Sequence, residues 1–368
     1  NLLMEIFAKK ITLMKNIEEV MNQWSALQPL SDRDREMLSR RFTIDFNYNS
    51  NHIEGNTLTY GQTEILLLFG KIVGEADVRD VHEMTASNVG LKMMREEALL
   101  RQTPLTQHFI RTLHKTLLRE DYTVYRQLPG GVQTSYVIHA GQYKTRPNSV
   151  ITRYGDRFEY ASPEETPALM ADLVDWYNDA ERSGKFTPVE LAAMFHYRYI
   201  RIHPFEDGNG RIARMMVNYI LTRHGYPMIV VRSRKKKEYL EALHRTDLTV
   251  GAAPSLGAQA SKRDIQHFLT YFTNLFVEEV SYHIQFLTQR GNDVWWFDGE
   301  RIKFRSATTS IILNRMYEQP QSTIPQLADA AGISVTAVNK QLRLLTDKGY
   351  ITRSEKDGSW CLVITPSV

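Results

Sequence analysis

The segment His203-Pro204-Phe205-Glu206-Asp207-Gly208-Asn209-Gly210-Arg211, followed by Arg214, decides how this sequence is interpreted. It lies between two stretches that have the apolar spacing of helices. Pro204 ends the first helix, because a proline disfavours helical geometry in the residue before it. Gly208 and Gly210 allow a tight turn and a close approach of the backbone to a ligand. We therefore predict two helices joined by a loop that carries the chemistry.

The start of the second helix is predicted to be an anion site. A helix N-terminus presents free N–H groups and the positive end of the helix dipole, and here it follows Gly208, Asn209 and Gly210. Arg211 and Arg214 share one face of the first turn, where the dipole disfavours cations. The two guanidinium groups therefore need a polyanion, and a triphosphate is the natural candidate.

His203 and Asp207 supply the remaining functional groups of the loop. An imidazole accepts a proton near neutral pH. A single carboxylate suits Mg²⁺, which prefers few protein carboxylates together with phosphate oxygens. The loop thus combines a base, a metal ligand, an anion cradle and two phosphate clamps. This set indicates phosphoryl or nucleotidyl transfer, driven mainly by positioning and electrostatics, to a nucleophile that His203 deprotonates.

The same string resembles the signature of the Fic family of AMP transferases, His-Pro-Phe-x-acid-Gly-Asn-Gly-Arg-x-x-Arg, and the resemblance covers roughly residues 40 to 245. It implies that ATP is the substrate and that the site uses His203 as the base, Asp207 for Mg²⁺, Gly208, Asn209 and Gly210 as the anion hole, and Arg211 and Arg214 for phosphates. The branch of the family that phosphorylates typically has a basic residue at position 207. Asp207 therefore favours AMP transfer to a Ser, Thr or Tyr hydroxyl of a target protein.

Two neighbouring segments extend this resemblance. Residues 141–146 with 150–151 resemble the flap hairpin of the family, which implies that a target docks by strand addition at Tyr143, Lys144, Thr145 and Val150. Lys144 departs from the arginine that is common at this position. Residues 238–243 resemble the adenine-side helix, so Tyr239 is expected either to line the base pocket or to belong to the core.

Ser50-Asn51-His52-Ile53-Glu54-Gly55 is a second motif. We predict that Glu54 lies in the last turn of a helix, where a carboxylate faces the negative end of the dipole and needs a cation. Ser50 shares its helical face. The motif resembles the inhibitory helix of the Fic family, in the subclass that carries it N-terminal to the core. This implies that Glu54 pairs with Arg214 and blocks productive placement of the γ-phosphate. Some members with this motif also remove AMP, so the direction of net reaction is left open.

The last part of the chain predicts a small separate module. Residues 323–342 have the pattern of two helices around a turn at Gly332, and residues 348–351 and 360–363 predict two strands, which together resemble a winged helix. Binding to DNA would require an exposed face formed by Thr336, Asn339, Lys340 and Arg343. The alternative is that this module packs on the catalytic part or on a partner, because its positive charge is weak.

The composition limits the class of protein. The 368 residues carry a net charge of +3, which gives no global field for nucleic acid or an anionic membrane. No apolar run approaches the roughly 18 residues needed to span a bilayer, and no signal-peptide pattern is present. Cys361 is the single cysteine, so neither an intrachain disulfide nor a cysteine-based zinc site can form. We expect a cytoplasmic protein without a membrane partner.

The sequence as a whole predicts a mainly α fold: a Fic-type helical bundle with a β-hairpin flap and a small C-terminal α+β winged helix-turn-helix domain. The predicted parts are an N-terminal region over 1–100 with the inhibitory helix, a catalytic core over 101–290 and the C-terminal module over 291–368. The expected activity is ATP- and Mg²⁺-dependent protein adenylylation, repressed by Glu54. The alternatives are net AMP removal and a nucleotide-sensing, DNA-binding regulator. Self-modification, contact with DNA and a homodimer are left open.

Overall fold

The structure, a computed structural model, describes residues 16–127, 131, 133–151, 157–304, 306–354 and 358–367, so the first 15 residues of the predicted N-terminal region lie outside it. The helices are α1 (16–26), α2 (Asp32–Ile53), α3 (Tyr60–Phe69), α4 (Val78–Leu99), α5 (Gln107–Leu118), α6 (Thr166–Ser183), α7 (Pro188–Ile202), α8 (Asn209–Arg223), α9 (Lys236–Val250), α10 (Pro254–Ala258), α11 (Gln266–Thr288), α12 (Ala307–Glu318), α13 (Ile324–Ala331) and α14 (Val335–Asp347). The strands are β1 (Tyr122–Gln127), β2 (Gln133–Ile138), β3 (Ser149–Ile151), β4 (Arg157–Glu159), β5 (Gly291–Phe297), β6 (Glu300–Ile302), β7 (Ile351–Arg353), β8 (Trp360–Leu362) and β9 (Thr365–Ser367).

The predicted mainly α fold with short hairpins and a C-terminal winged helix is confirmed. The described chain divides into two compact units. One comprises residues 16–19, 49–55 and 86–277, and the other comprises 20–48, 56–85 and 278–367. These units are defined by packing and combine distant segments, so the three contiguous parts expected from the sequence stay a prediction. Within the described residues, no helix has both the length and the apolar character that a membrane crossing needs.

The first unit is built around α7 and α8, which are buried on nearly all sides. Helix α7 begins with a capping box, in which the Thr187 side chain accepts from the Glu190 N–H and the Glu190 side chain accepts from the Thr187 N–H, and Pro188 takes the first position. Both features favour a fixed helix start. Phe205, in the loop between the two helices, is fully buried. The loop that carries the signature is therefore anchored in the core of this unit.

Two antiparallel hairpins accompany these helices, as the sequence predicts. Strands β1 and β2 pair with Tyr122 opposite Ile138, and β3 and β4 pair with Val150 opposite Phe158. The predicted flap residue Val150 thus lies in a paired strand, although its side chain is outside the described part of the structure.

The second unit contains the C-terminal winged helix. Thr323 and Gln326 form a capping box at the start of α13, which ends at Gly332 with a φ of 63° that suits glycine. Strands β7 and β8 form the wing, and β6, β5 and β9 form a separate three-stranded sheet. Trp295 and Leu327 belong to one apolar core in this unit. The helix-turn-helix and the two-stranded wing expected from the sequence are both confirmed.

Candidate active site

The catalytic loop begins with a residue in an unusual backbone conformation. Helix α7 ends at Ile202, and His203 follows with φ 52° and ψ 60°, the left-handed region, while its N–H donates to the Tyr199 carbonyl across 2.9 Å. Such a conformation is unfavourable for residues other than glycine or asparagine, so surrounding contacts have to maintain it.

The imidazole of His203 packs flat against the ring of Tyr160, with centroids 4.0 Å apart and planes inclined by 14°. Burial and then the nearby Lys144 ammonium lower the pKa of His203 to about 4. Near neutral pH the imidazole is therefore uncharged and able to accept a proton. Tyr160 was not predicted from the sequence, because nothing in the local pattern indicates a stacking partner for a histidine 43 residues away.

The N-terminus of α8 has no side-chain cap in the described part of the chain. Gly208 is the N-cap with a φ of 78°. The Asn209 side chain turns back instead, since its amide donates to the Phe205 carbonyl across 2.7 Å and accepts from the Phe205 N–H across 3.0 Å. The side chain of Asn209 thus closes the loop, and the backbone N–H groups of the first turn face the space expected for an anion.

Asp207 is held by three contacts at the mouth of this turn. Its Oδ2 accepts from the Tyr122 hydroxyl across 2.5 Å and lies 3.5 Å from Arg211 Nη2, and its Oδ1 accepts from the Gly208 N–H across 2.6 Å. Burial alone raises the pKa of Asp207, but Arg211 and these hydrogen bonds outweigh it and hold the pKa below its usual value. The carboxylate is therefore ionised at neutral pH.

The carboxylate of Asp207 fits a magnesium ion that takes its other ligands from the phosphates of a nucleotide. No group of three or more His, Cys, Asp or Glu side chains suited to a metal occurs in the described residues. Asp207 is an ionised carboxylate with about a third of its side chain exposed, at 34 %. Mg²⁺ commonly uses one or two protein carboxylates and takes its other ligands from phosphate and water, so this single carboxylate is a sufficient protein contribution.

His114 is a functional neighbour that the sequence analysis missed. Its ring stacks on Phe205 at a centroid distance of 3.7 Å, and its Nδ1 accepts from the Gly141 N–H across 2.9 Å. The proton must then reside on Nε2, which donates to the Asp207 carbonyl across 3.0 Å. Burial lowers the pKa of His114 to about 4, which keeps this neutral tautomer. In the sequence it is only one more position on the buried face of α5.

Arg214 makes the contact that the second motif predicts. Its Nη2 donates to Glu54 Oε1 across 2.6 Å and to the Ser50 carbonyl across 2.8 Å, and its Nε donates to Ser50 Oγ across 3.0 Å. Burial alone raises the pKa of Glu54, but Arg214 outweighs it and the pKa is lowered. Burial alone likewise lowers the pKa of Arg214, and Glu54 reverses this and raises it. The two shifts describe the same ion pair.

The end of α2 is fastened from the other side as well. Lys236 Nζ donates to the Ile53 carbonyl across 2.6 Å, and the Ser233 N–H donates to Asn49 Oδ1 across 2.7 Å. A cation at the last carbonyls of a helix interacts favourably with its dipole. Glu54 therefore follows a helix end that is held in place by Arg214, by the first residue of α9 and by the segment that precedes α9.

Tyr239 is buried beside Arg214. It is 3 % exposed, and its hydroxyl lies 2.8 Å from His196 Nε2. Its ring also contacts Tyr271. Burial raises the pKa of Tyr239 to about 12, although the charge of Arg214 and a hydrogen bond with it act in the opposite direction. The burial agrees with the core position weighed in the sequence analysis, and the adenine-lining role of Tyr239 stays a prediction.

The flap residues point in different directions. The Tyr143 hydroxyl donates to Gln107 Oε1 across 2.8 Å, and Thr145 donates through its N–H and its hydroxyl to Glu206 Oε1 across 3.3 and 3.2 Å. Lys144 is 3 % exposed and extends into the protein. Its side chain therefore faces the protein interior, and docking of a target by strand addition at this segment stays a prediction.

The arrangement agrees with comparisons to known proteins. The Fic/DOC family model matches residues 104–221, and a winged helix-turn-helix DNA-binding model matches residues 305–352. A Fic domain containing signaling protein from Bacteroides thetaiotaomicron is 51 % identical, with a TM-score of 0.68 over 73 % of this chain and 96 % of that chain. Fic-1 from C. elegans is 25 % identical, with a TM-score of 0.58 over 76 % of this chain and 73 % of that chain.

Curated relatives bear names that state an activity. Protein adenylyltransferase fic-1 of Caenorhabditis briggsae is 28 % identical over 64 % of this chain and 42 % of its own length. Protein adenylyltransferase Fic of Drosophila virilis is 30 % identical over 53 % of this chain and 36 % of its own length. The chain thus spans less than half the length of these two relatives. Given the intact signature loop and the nearly complete coverage of a 51 % identical Fic structure, this chain belongs to the Fic family.

Proposed function

We propose that this protein is an adenylyltransferase that moves AMP from ATP to a side-chain hydroxyl of a target protein. The observation that carries the proposal is the loop between α7 and α8, where the uncharged imidazole of His203 is followed by an uncapped helix N-terminus. A base next to an anion cradle is what nucleotidyl transfer to a hydroxyl requires. The names of the curated relatives support the same reaction.

The reaction assigns one role to each group. His203 takes the proton of the target hydroxyl, the hydroxyl oxygen forms a bond to the α-phosphorus of ATP, and the bond from that phosphorus to the bridging oxygen breaks as pyrophosphate leaves. The N–H groups of Asn209 and Gly210 donate to the anionic oxygens, and Arg211 holds phosphate. Asp207 would hold Mg²⁺, which neutralises phosphate charge when bound. These donors are fixed before substrate arrives, so little reorganisation accompanies the reaction.

Repression by Glu54 is the second part of the proposal. Arg214 is the second arginine of the signature, and here its Nε and Nη2 donate to Glu54 and Ser50. An arginine held in this way cannot offer the same donors to a γ-phosphate. A methyl group on Gly210 would overlap Glu54 Oε1, which means that the carboxylate occupies the space directly above the anion cradle. The inhibitory role of Glu54 rests on these two contacts.

Net removal of AMP is the alternative activity of the same site. The Glu54 carboxylate is ionised and has about two fifths of its side chain exposed, at 39 %. A carboxylate in that state can orient a water molecule toward a phosphorus centre. The same residue would then repress the forward reaction and serve the reverse one.

Contact with DNA is a second candidate function, and one observation favours it. Thr336, Asn339, Lys340 and Arg343 are all exposed on α14, at positions that share one face of the helix. This is the position of the recognition helix in a helix-turn-helix, and the family model that matches residues 305–352 is named for DNA binding. A salt-dependent affinity that falls when Lys340 and Arg343 are replaced by alanine would support it.

Incubation of the purified protein with ATP labelled at the α-phosphate separates these functions. Covalent label on the protein or on a candidate target, located by mass spectrometry, supports adenylyl transfer. Loss of label from a previously modified target supports net removal. Binding of DNA without any label, in the wild type and in Glu54→Gly, would refute the proposed transferase and support a regulator.

A further inference from the structure

Lys144 lies in the flap segment, but its ammonium group is buried against the catalytic loop. Its Nζ donates to the His203 carbonyl across 2.9 Å, to the Ile202 carbonyl across 3.1 Å and to Asn148 Oδ1 across 2.8 Å. Its backbone N–H donates to the Pro204 carbonyl across 2.9 Å. An ammonium has three protons, and all three are used here. This is a complete binding site for one cation, built around the residue that precedes Pro204.

The two carbonyls that Lys144 binds belong to the end of α7. The last four carbonyls of a helix have no partner within the helix, and a cation placed there interacts favourably with the dipole. His203 leaves this helix end in the left-handed conformation, which needs support from outside. Lys144 supplies that support by donating to the Ile202 carbonyl, which precedes the His203 N–H, and to the His203 carbonyl, which follows it.

We propose that Lys144 is a positioning residue for His203: its ammonium fixes the carbonyls of Ile202 and His203 and thereby sets the direction in which the imidazole faces the substrate. The proposal deepens the proposed transferase function and rests on it, because it assigns to Lys144 a task in that reaction. Nothing in the resemblance assigns this task to position 144, where arginine is common.

The charge of Lys144 has an effect beyond geometry. After burial, it is the largest contribution that lowers the pKa of His203, while Glu54 and Asp207 face the imidazole and raise it. Glu165 faces Lys144 itself. Replacing the ammonium by an uncharged side chain of similar shape should therefore raise the pKa of His203. A residue that only filled space would leave that pKa unchanged.

Asn148 provides a milder way to disturb the same contact. Its carbonyl oxygen binds Lys144 Nζ, and its amide donates to the Phe205 carbonyl across 3.1 Å and to the His203 carbonyl across 3.4 Å. The Asn148→Ala variant keeps the ammonium but removes one of its three acceptors. It is expected to fold even where Lys144→Met does not, because Asn148 is only half-buried.

The test uses Lys144→Met in the Glu54→Gly background, so that transfer is measurable. We expect kcat to fall about ten-fold or more while the KM for ATP stays within about two-fold, since positioning acts on the chemical step. The acidic limb of the kcat profile should move to higher pH. Asn148→Ala should show smaller changes in the same direction. Lys92→Met, a change of an exposed lysine on α4, should match the parent.

A second readout does not depend on activity. In histidine-labelled protein, the NMR titration of His203, assigned with His203→Ala, should move to higher pH in Lys144→Met. The proposal would be overturned if both Lys144→Met and Asn148→Ala kept the kcat of the Glu54→Gly parent and left the titration of His203 unshifted. If no variant, including Glu54→Gly, labels any protein, the proposed transferase is refuted, and the titration alone then decides whether Lys144 positions His203.

Discussion

Arg214, on α8, donates to Glu54 across 2.6 Å, and the same guanidinium binds both the hydroxyl and the carbonyl of Ser50. The pair joins residues that are 160 positions apart in the sequence. An arginine that is 3 % exposed and donates three hydrogen bonds to one segment cannot offer those donors to another ligand until that segment moves. Several expectations about activity depend on this one contact.

Glu54→Gly should raise AMP transfer, including transfer onto the protein itself, because it frees Arg214 for the γ-phosphate. The same change should remove any loss of AMP from a modified target, since the carboxylate that orients water is gone. Labelled AMP incorporation at equal protein concentration measures the first effect. The double variant Glu54→Gly/Arg214→Ala is the control and should lack the activation. A single variant no more active than wild type would show that the repression has another source.

His203→Ala should abolish transfer, because no other base lies in the loop, and should leave the fold largely intact. ATP binding should persist, since the phosphate ligands belong to α8 and not to the end of α7. The measurement pairs labelled transfer in the Glu54→Gly background with calorimetric ATP binding. Transfer near the parental rate would remove His203 from its role as base.

Asp207→Ala should weaken Mg²⁺-dependent nucleotide binding and sharply lower transfer, because the ion loses its protein ligand. Titration of ATP with and without Mg²⁺ checks this directly. Glu206→Ala removes the adjacent carboxylate, which binds Thr145, and should leave the Mg²⁺ dependence unchanged. Nucleotide binding that responds neither to Mg²⁺ nor to the loss of Asp207 would make Asp207 a purely structural residue.

The pH dependence of transfer should have its acidic limb near pH 4 and not near 6.5. Burial and Lys144 lower the pKa of His203 to about 4, so the imidazole stays uncharged and able to accept a proton down to that pH. Activity should therefore be flat around neutrality and fall only as the imidazole becomes protonated. The profile of kcat for Glu54→Gly tests this, and a limb centred near 6.5 would contradict the surroundings assigned to His203.

Glu64 in the second unit should make stability depend on pH. Burial raises its pKa to about 7, despite Arg40 at 3.7 Å. The folded state then binds more protons than the unfolded state between the usual value of 4.5 and pH 7, so this residue makes stability fall as pH rises through that window. Glu64→Gln should raise the free energy of unfolding above pH 7 by up to about 3 kcal/mol. Glu36→Gln, at an exposed site on α2, should leave the free energy of unfolding unchanged. Equal unfolding curves for wild type and Glu64→Gln at pH 8 would contradict the raised pKa of Glu64.

The sequence predicted the loop between α7 and α8 because its signals are local, whereas the Glu54–Arg214 pair followed only from the resemblance to the Fic family. The glycines at 208 and 210, the proline at 204 and the spacing of the two arginines each constrain the backbone within one turn. The winged helix followed in the same way from Gly332 and the pattern around it. In the loop and in the winged helix, the residues that define the feature are close together in the chain.

The supporting contacts could not be predicted, because they depend on which distant segments meet. His114 lies 93 residues before the carbonyl it binds, and Tyr122 lies 85 residues before the carboxylate it donates to. Lys144 and Tyr239 had functional roles in the sequence analysis because their segments resemble functional elements. Burial decides their contacts instead, and burial of one side chain is a property of the whole packed unit.

If Glu54 represses transfer as proposed, its carboxylate, which lies where a Cβ on Gly210 would be, acts as a tethered competitor of the nucleotide. Its local concentration is fixed by the chain and does not fall on dilution, so repression should be the same at any protein concentration. ATP then binds with an apparent affinity reduced by the fraction of molecules in which the carboxylate has withdrawn. A partner that binds residues 50–54 and moves them away from α8 strengthens ATP binding. By reciprocity, ATP then raises the affinity of that partner by the same factor.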